Sequence, residues 1–179
     1  MADRKEIAFE QFNANPFQLF NHQWFLLTAG DYVSGKFNPM TVSWGYLGVM
    51  WGFPSVIVAV RPQRHTLGFM ENSDSFTLCA FAENYRAALQ LCGSKSGRDL
   101  DKVAASGLSP EAAVRVAAPV FKEAELVLEC RKVYRGEFLP EGFLDAGICG
   151  KVYPGNDYHR FFAGEILHIA GTDRFRRPV

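Results

Sequence analysis

Three stretches of this chain gather side chains able to hold a flat polar ligand and an anion. The first is Asn38-Pro39-Met40-Thr41-Val42-Ser43-Trp44. Thr41 and Ser43 stand two apart, so on a strand they project to one face. Their hydroxyls and the Asn38 amide can serve the carbonyls and ring nitrogens of a heterocycle. Trp44 offers a flat contact and Met40 a polarisable one. An amphipathic strand with one wet face would show the same pattern. The second stretch is Val60-Arg61-Pro62-Gln63-Arg64-His65-Thr66. Here Arg61, Arg64 and His65 gather where a strand gives way to a helix. Helix N-termini present free N–H groups, and guanidinium forks match phosphate oxygens. A solvated, charged turn reads alike. The third stretch is Cys92-Gly93-Ser94-Lys95-Ser96-Gly97-Arg98-Asp99. Gly93 and Gly97 let backbone approach a ligand, while Ser94, Lys95 and Ser96 supply donors. A plain connection between two helices is the competing reading.

The elements that must position these residues are mostly strands. Residues 24–29 form a short apolar run closed by Gly30-Asp31, which reads as a buried strand. Residues 33–38 read as a turn around Ser34-Gly35. Residues 40–44 and 46–51 read as strands broken near Gly45. Gly52-Phe53-Pro54 is a turn signal, and residues 55–60 are a β-branched run. The connections are too short for helical crossovers, so pairing is antiparallel. Thr66 is placed to cap a short helix with Leu67 and Met70 on one face. Residues 75–81 read as a strand. Residues 83–91 read as a helix that stops at Gly93, and residues 99–105 as another ending near Gly107. Ser109-Pro110-Glu111 is a helix-start signal cut short by Pro119. Residues 125–134 alternate, with Leu126, Leu128, Cys130 and the Lys132 stem on one face. Residues 141–150 suggest a short helix or loop. A long strand over residues 158–169 follows, and residues 174–179 read as a frayed basic tail. Many strands and few short helices favour a closed barrel with helices outside it; βαβ periodicity is absent, which argues against a Rossmann sheet.

Taken in order, the three stretches resemble the flavin reductase-like family, flavoredoxin-type proteins included. The matching patterns are N-P-M-T-x-S-W, V-R-P-x-R-x-T and C-G-x-x-S-G-R-D. His159 followed by Gly164-Glu165 is similar to that family's H-x-x-x-x-G-E element on a late strand. The resemblance runs from about Gln23 to Ile169. It implies a mainly β FMN-binding split β-barrel of antiparallel Greek-key type, with FMN as cofactor. It implies that Asn38, Met40, Thr41, Ser43 and Trp44 lie along the isoalloxazine and ribityl chain. Arg61, Arg64 and Thr66 would hold the phosphate, aided by Gly93, Ser94, Ser96 and Gly97. His65 stands where relatives often carry an aromatic residue. His159 would sit where relatives place nicotinamide, implying NADH or NADPH as donor; a half-buried structural histidine is the other reading. The resemblance implies a reductase passing hydride from NAD(P)H to flavin, or an electron carrier reduced by a redox protein partner. It also implies a homodimer with flavin near the subunit interface.

Bulk properties narrow the field. The chain has 179 residues, which suits a single domain over residues 1–179, with a core near residues 23–169 and terminal arms. Hydrophobic residues at 48% and charged residues at 21% argue against disorder. A formal net charge of +0 gives no electrostatic footprint for nucleic acid. Cys79, Cys92, Cys130 and Cys149 make no C-x-x-C pair, so neither a zinc site nor a dithiol redox pair is expected. His22, His65, His159 and His168 lack metal spacing. The 16 Phe residues suit a Phe-rich core, ligand stacking or an oligomer interface. The first residues lack the apolar stretch of a signal peptide, and no apolar run approaches a membrane span. A soluble, cytoplasmic protein is the expectation, with no membrane partner.

Overall fold

The structure is a computed structural model that describes residues 3–177. In chain order the elements are β1 (Lys5–Glu6), β2 (Phe25–Asp31), β3 (Lys36–Val42), β4 (Gly45–Met50), β5 (Phe53–Val60), α1 (Thr66–Asn72), β6 (Ser75–Ala80), α2 (Arg86–Ser94), α3 (Lys102–Ser106), β7 (Pro110–Glu111), β8 (Val120–Phe121), β9 (Leu126–Glu137), α4 (Ala146–Val152) and β10 (Arg160–Gly171). The main sheet runs β3-β2-β6-β9-β10-β5-β4, with β1 added beside β10, and every pairing in it is antiparallel.

The sheet's two edge strands, β3 and β4, are joined by only Ser43 and Trp44. The edges are therefore forced together, and the sheet curls into a barrel. The Ala59 amide donates to the Trp44 carbonyl at 3.2 Å, which ties this link to β5. Two register shifts between β9 and β10, at Ala163/Gly164 and Ile166/His168, add the local bend that curvature needs.

β2 shows why the strands read as continuous apolar runs. Phe25, Leu27 and Ala29 point into the barrel with Val56, Val58, Phe76, Leu78, Leu128 and Phe162. Leu26, between them, faces a second cluster under α2 with Cys79, Phe81, Leu89, Cys92 and Phe121. Both faces are covered, so polar alternation is lost. Each fully buried Phe or Leu stabilises the fold by about 1.5–3 kcal/mol.

The mainly β barrel with short helices is the expected fold, but several local expectations are corrected. Strand β3 starts at Lys36, inside the expected turn, and the break falls at Ser43-Trp44 rather than Gly45. The β4–β5 turn is only Trp51-Gly52, both with positive φ, and Phe53 and Pro54 already pair with β4. Thr66 does not cap α1: His65 occupies the cap position, and the Thr66 hydroxyl turns inward. Helix α2 runs past Gly93 to Ser94. Helix α3 starts at Lys102, capped by the Asp101 carboxylate on the Val103 and Ala104 amides. Ser109-Pro110-Glu111 starts no helix, since Pro110 and Glu111 pair with Phe121 and Val120. The tail is not frayed over its described residues: Phe175 is buried, and the Arg177 amide donates to the Gln11 carbonyl at 2.8 Å. Residues 178–179 lie outside the described residues. Cys79, Cys92 and Cys130 are buried, Cys149 is half-buried, and all four are free thiols. Among the described residues no helix is long and apolar enough to cross a membrane.

Candidate functional site

The β3–β4 link, the end of β5 and the start of β10 enclose a cavity of about 240 Å³. Its lining brings together the expected site residues Met40, Thr41, Ser43, Trp44, Arg61, Arg64 and His159, with Val42 and Ala59 between them. Alternation along β3 sorts their side chains. Met40 and Val42 are buried in the barrel core, while Thr41 and Ser43 face outward and stay partly exposed. The Thr41 hydroxyl donates to the Leu89 carbonyl at 2.5 Å, which fixes α2 against the strand. Trp44 is 47% exposed, and its ring lies 4.8 Å from the His159 ring. A second, more apolar cavity of about 680 Å³ shares Ser43, Trp44 and Ala59 with the first and continues along Phe20, Tyr46 and Phe161.

His159 is 7% exposed, and its Nδ1 lies 2.9 Å from the Tyr153 hydroxyl. Burial, assisted by the Arg61 and Arg64 charges, pushes its pKa down to about 4. It is therefore neutral at pH 7. Burial likewise raises the Tyr153 phenol, which stays protonated.

The two arginines differ. Arg61 is occupied by an ion pair with Asp157, a bond to the Val152 carbonyl at 3.1 Å and a position over the Tyr153 ring at 5.3 Å. That ion pair, with help from Gln63, holds the Asp157 carboxyl below its usual range. Arg64 instead donates to the Gly93 carbonyl at 2.6 Å. Lys102 reaches the neighbouring Cys92 carbonyl at 3.3 Å and is 4% exposed. Burial lowers the Lys102 pKa to about 8, with a smaller push from Arg64. Two cations thus meet at the C-terminal carbonyls of α2, where the helix dipole favours them. Among the described residues neither is paired with a carboxylate. A buried cation without a counter-charge, such as Lys102, is costly, and an anion beside it would relieve that cost.

The remaining expected residues lie around this centre rather than in it. Asn38 is buried and donates to the Thr66 hydroxyl at 2.6 Å. Gly97 packs on the Asn38 amide so closely that a Cβ there would fall nearer than 3.0 Å to it. Asn38 and Gly97 line a separate groove with Lys102, and His65 lines a third depression with Phe69. Burial, then the Arg98 and Lys102 charges, lowers the His65 pKa. Gly93 packs against Thr41; Ser94 bonds back to the Leu91 carbonyl at 3.5 Å, and the Ser96 hydroxyl accepts from the Arg98 amide at 3.2 Å. Sequence reading missed Lys102, Tyr153 and Asp157. One signal was available for Lys102: a lysine at the first position of a helix opposes the helix dipole.

Arg64, without a carboxylate partner among the described residues, in the wall of a cavity that Trp44 and His159 share on an antiparallel barrel points to a protein that binds a planar, anionic cofactor. The sequence model of the flavin reductase like domain matches residues 17–178, and the chain belongs to that family. Solved structures agree in fold. Flavoredoxin from Methanosarcina acetivorans is 25% identical, with a TM-score of 0.67 over 88% of this chain and 74% of its own. Flavoredoxin of Desulfovibrio vulgaris (Miyazaki F) is 22% identical, with a TM-score of 0.63 over 82% of this chain and 67% of its own. An FMN-binding domain of a flavin reductases-like enzyme from Shewanella baltica OS155 is 16% identical, with a TM-score of 0.68 over 97% and 79%. No curated protein sequence matches the chain significantly.

Proposed function

We propose that this chain is an FMN-dependent oxidoreductase that takes electrons from NADH or NADPH and delivers them to free flavin or another acceptor. The observation that carries the reading is Arg64, a cation without a carboxylate among the described residues, in the wall of a cavity shared with Trp44 and His159, with Lys102 behind it on the adjacent Cys92 carbonyl. The residues fit FMN: a phosphate needs charge-assisted donors, and a flavin ring needs flat apolar cover with a few polar contacts. Bound FMN would supply a redox centre able to accept a hydride and to pass electrons on singly or in pairs. Arg64 and Lys102 would neutralise the phosphate. Arg61, committed to Asp157, would act mainly by holding the wall of the cavity. Thr41 and Ser43 would meet the ribityl chain, Trp44 would shield one ring face, and neutral His159 would orient the donor by a hydrogen bond.

The first experiment is the visible spectrum of the protein after FMN addition and desalting, followed by NADH and NADPH oxidation with FMN or FAD as acceptor. Retained flavin bands and turnover with either donor are expected. Neither bands nor turnover would remove the reading. A second reading, a carrier reduced by a redox protein, is favoured by the likeness to flavoredoxin at 25% identity; retained FMN reduced by a partner reductase but not by NAD(P)H would decide for it.

We also propose a homodimer. Edge strand β4 exposes Tyr46, Val49 and Met50, and the turn after it exposes Trp51 next to Tyr134; Phe17 and Phe138 are exposed as well. Phe17, Tyr46 and Phe138 line the mouth of the apolar cavity next to Trp44, and a second copy seated there would cover them.

A further inference from the structure

Tyr153 has no part in the cavity lining, yet it is 5% exposed and its hydroxyl meets only His159 among the described residues. The phenol is held firmly. Its ring packs on Tyr158 at 4.8 Å and Phe143 at 5.8 Å, and it stands edge-on to His159 at 5.6 Å. The Tyr153 amide donates to the Cys149 carbonyl, and the Tyr153 carbonyl accepts from Asn156. Arg61 secures both flanks through Val152 and Asp157.

A neutral imidazole carries one N–H, on either Nδ1 or Nε2. If Nδ1 held the proton, the phenol oxygen would accept it, and the buried phenol O–H would have no acceptor among the described residues. An orphaned buried donor costs more than a spare lone pair. The phenol O–H therefore donates to Nδ1, and the ring proton sits on Nε2. Since Nδ1 is turned to Tyr153, Nε2 is the nitrogen left to meet a ligand in the cavity that His159 lines.

We infer that Tyr153 is a positioning residue that locks His159 in the Nε2–H tautomer, so that His159 donates into the cavity and selects a ligand presenting a carbonyl or anionic oxygen there. The assignment of that ligand as flavin or nicotinamide rests on the function proposed above; the tautomer does not.

The test is the ring-nitrogen NMR spectrum of histidine-labelled protein without flavin, in the unsubstituted protein and in Tyr153→Phe, with His159→Gln to assign the signals. In the unsubstituted protein, the expected result is an unprotonated Nδ1 and a protonated Nε2. In Tyr153→Phe the two tautomers should mix. With flavin bound, KM for the nicotinamide should then rise severalfold while kcat changes less. A proton on Nδ1, or a tautomer unchanged in Tyr153→Phe, would overturn the inference. If Tyr153→Phe failed to fold, the unsubstituted spectrum alone would decide. The expected tautomer together with no flavin binding would sink the flavin reading and leave the tautomer standing.

Discussion

Lys102 is the residue on which ligand binding should depend most sharply. Its amine is buried, shares the end of α2 with Arg64 and titrates near about 8 in place of 10.5. Below that value it is charged and ready for an anion; above it the free protein has lost the proton. A bound phosphate favours the charged form, so binding at higher pH must take up a proton. FMN affinity should therefore be level between about pH 7 and 8, where the phosphate is a dianion, and decline as pH rises from about 8 toward 10.5. Lys102→Met should weaken binding about tenfold or more, since a hydrogen bond to a charged group contributes ~1.5–3 kcal/mol, and should flatten the pH dependence. Fluorescence titrations of FMN across that range check both; a Lys102→Met protein with unchanged affinity would place the phosphate elsewhere. At this scale the sequence was only partly legible. Thr41 and Ser43 could be chosen from strand spacing, Trp44 and Arg64 from residue type beside them and at a strand end, and His159 only from the family resemblance. Tyr153 and Asp157 could not, because their importance comes from meeting His159 and Arg61 across the fold.

Among the elements, the β3–β4 link decides whether the site exists. Gly45 lies immediately after it, and a Cβ there would fall nearer than 3.0 Å to the Ile57 carbonyl and the Phe20 ring. The ring can move but the strand carbonyl cannot do so without disturbing the β4–β5 ladder. Gly45→Ala should cost about 1–3 kcal/mol through overpacking. Thermal melts should show a lower Tm, and the Trp44 contact with His159 should loosen with it. An unchanged Tm would show that the link has slack. Strands β5, β9 and β10 were legible as β-branched, alternating or long runs, and β2 and β6 as short, mostly apolar runs. The short elements were not. Ser109-Pro110-Glu111 obeys the local rule for a helix start, yet Pro110 and Glu111 are taken by the pairing with β8, a contact no local pattern encodes. The tail misled in the same way: Arg174 and Arg176 look like solvent-exposed charges, while buried Phe175 between them anchors the segment.

For the whole molecule, the apolar face on β4 sets the expectation of a dimer. Tyr46 is 76% exposed and Val49 75% exposed, which a lone subunit would leave in water. Sedimentation should give about twice 20.0 kDa for the unsubstituted chain. Tyr46→Asp with Val49→Lys should give monomers that keep the barrel. A monomer before substitution would remove the proposal. Strand β10 has a further consequence. It pairs with β9, β5 and β1, and its partners in β5 and β1 lie far away in sequence, as Arg160 opposite Val60 and Gly171 opposite Lys5 illustrate. Contacts of such high order slow folding, because long loops must close before they are rewarded. Refolding should thus pass through a period in which the β4–β5 hairpin has formed while β5 still lacks β10. In that interval an adhesive apolar edge faces solvent, and recovery from denaturant will favour dilute chains over concentrated ones.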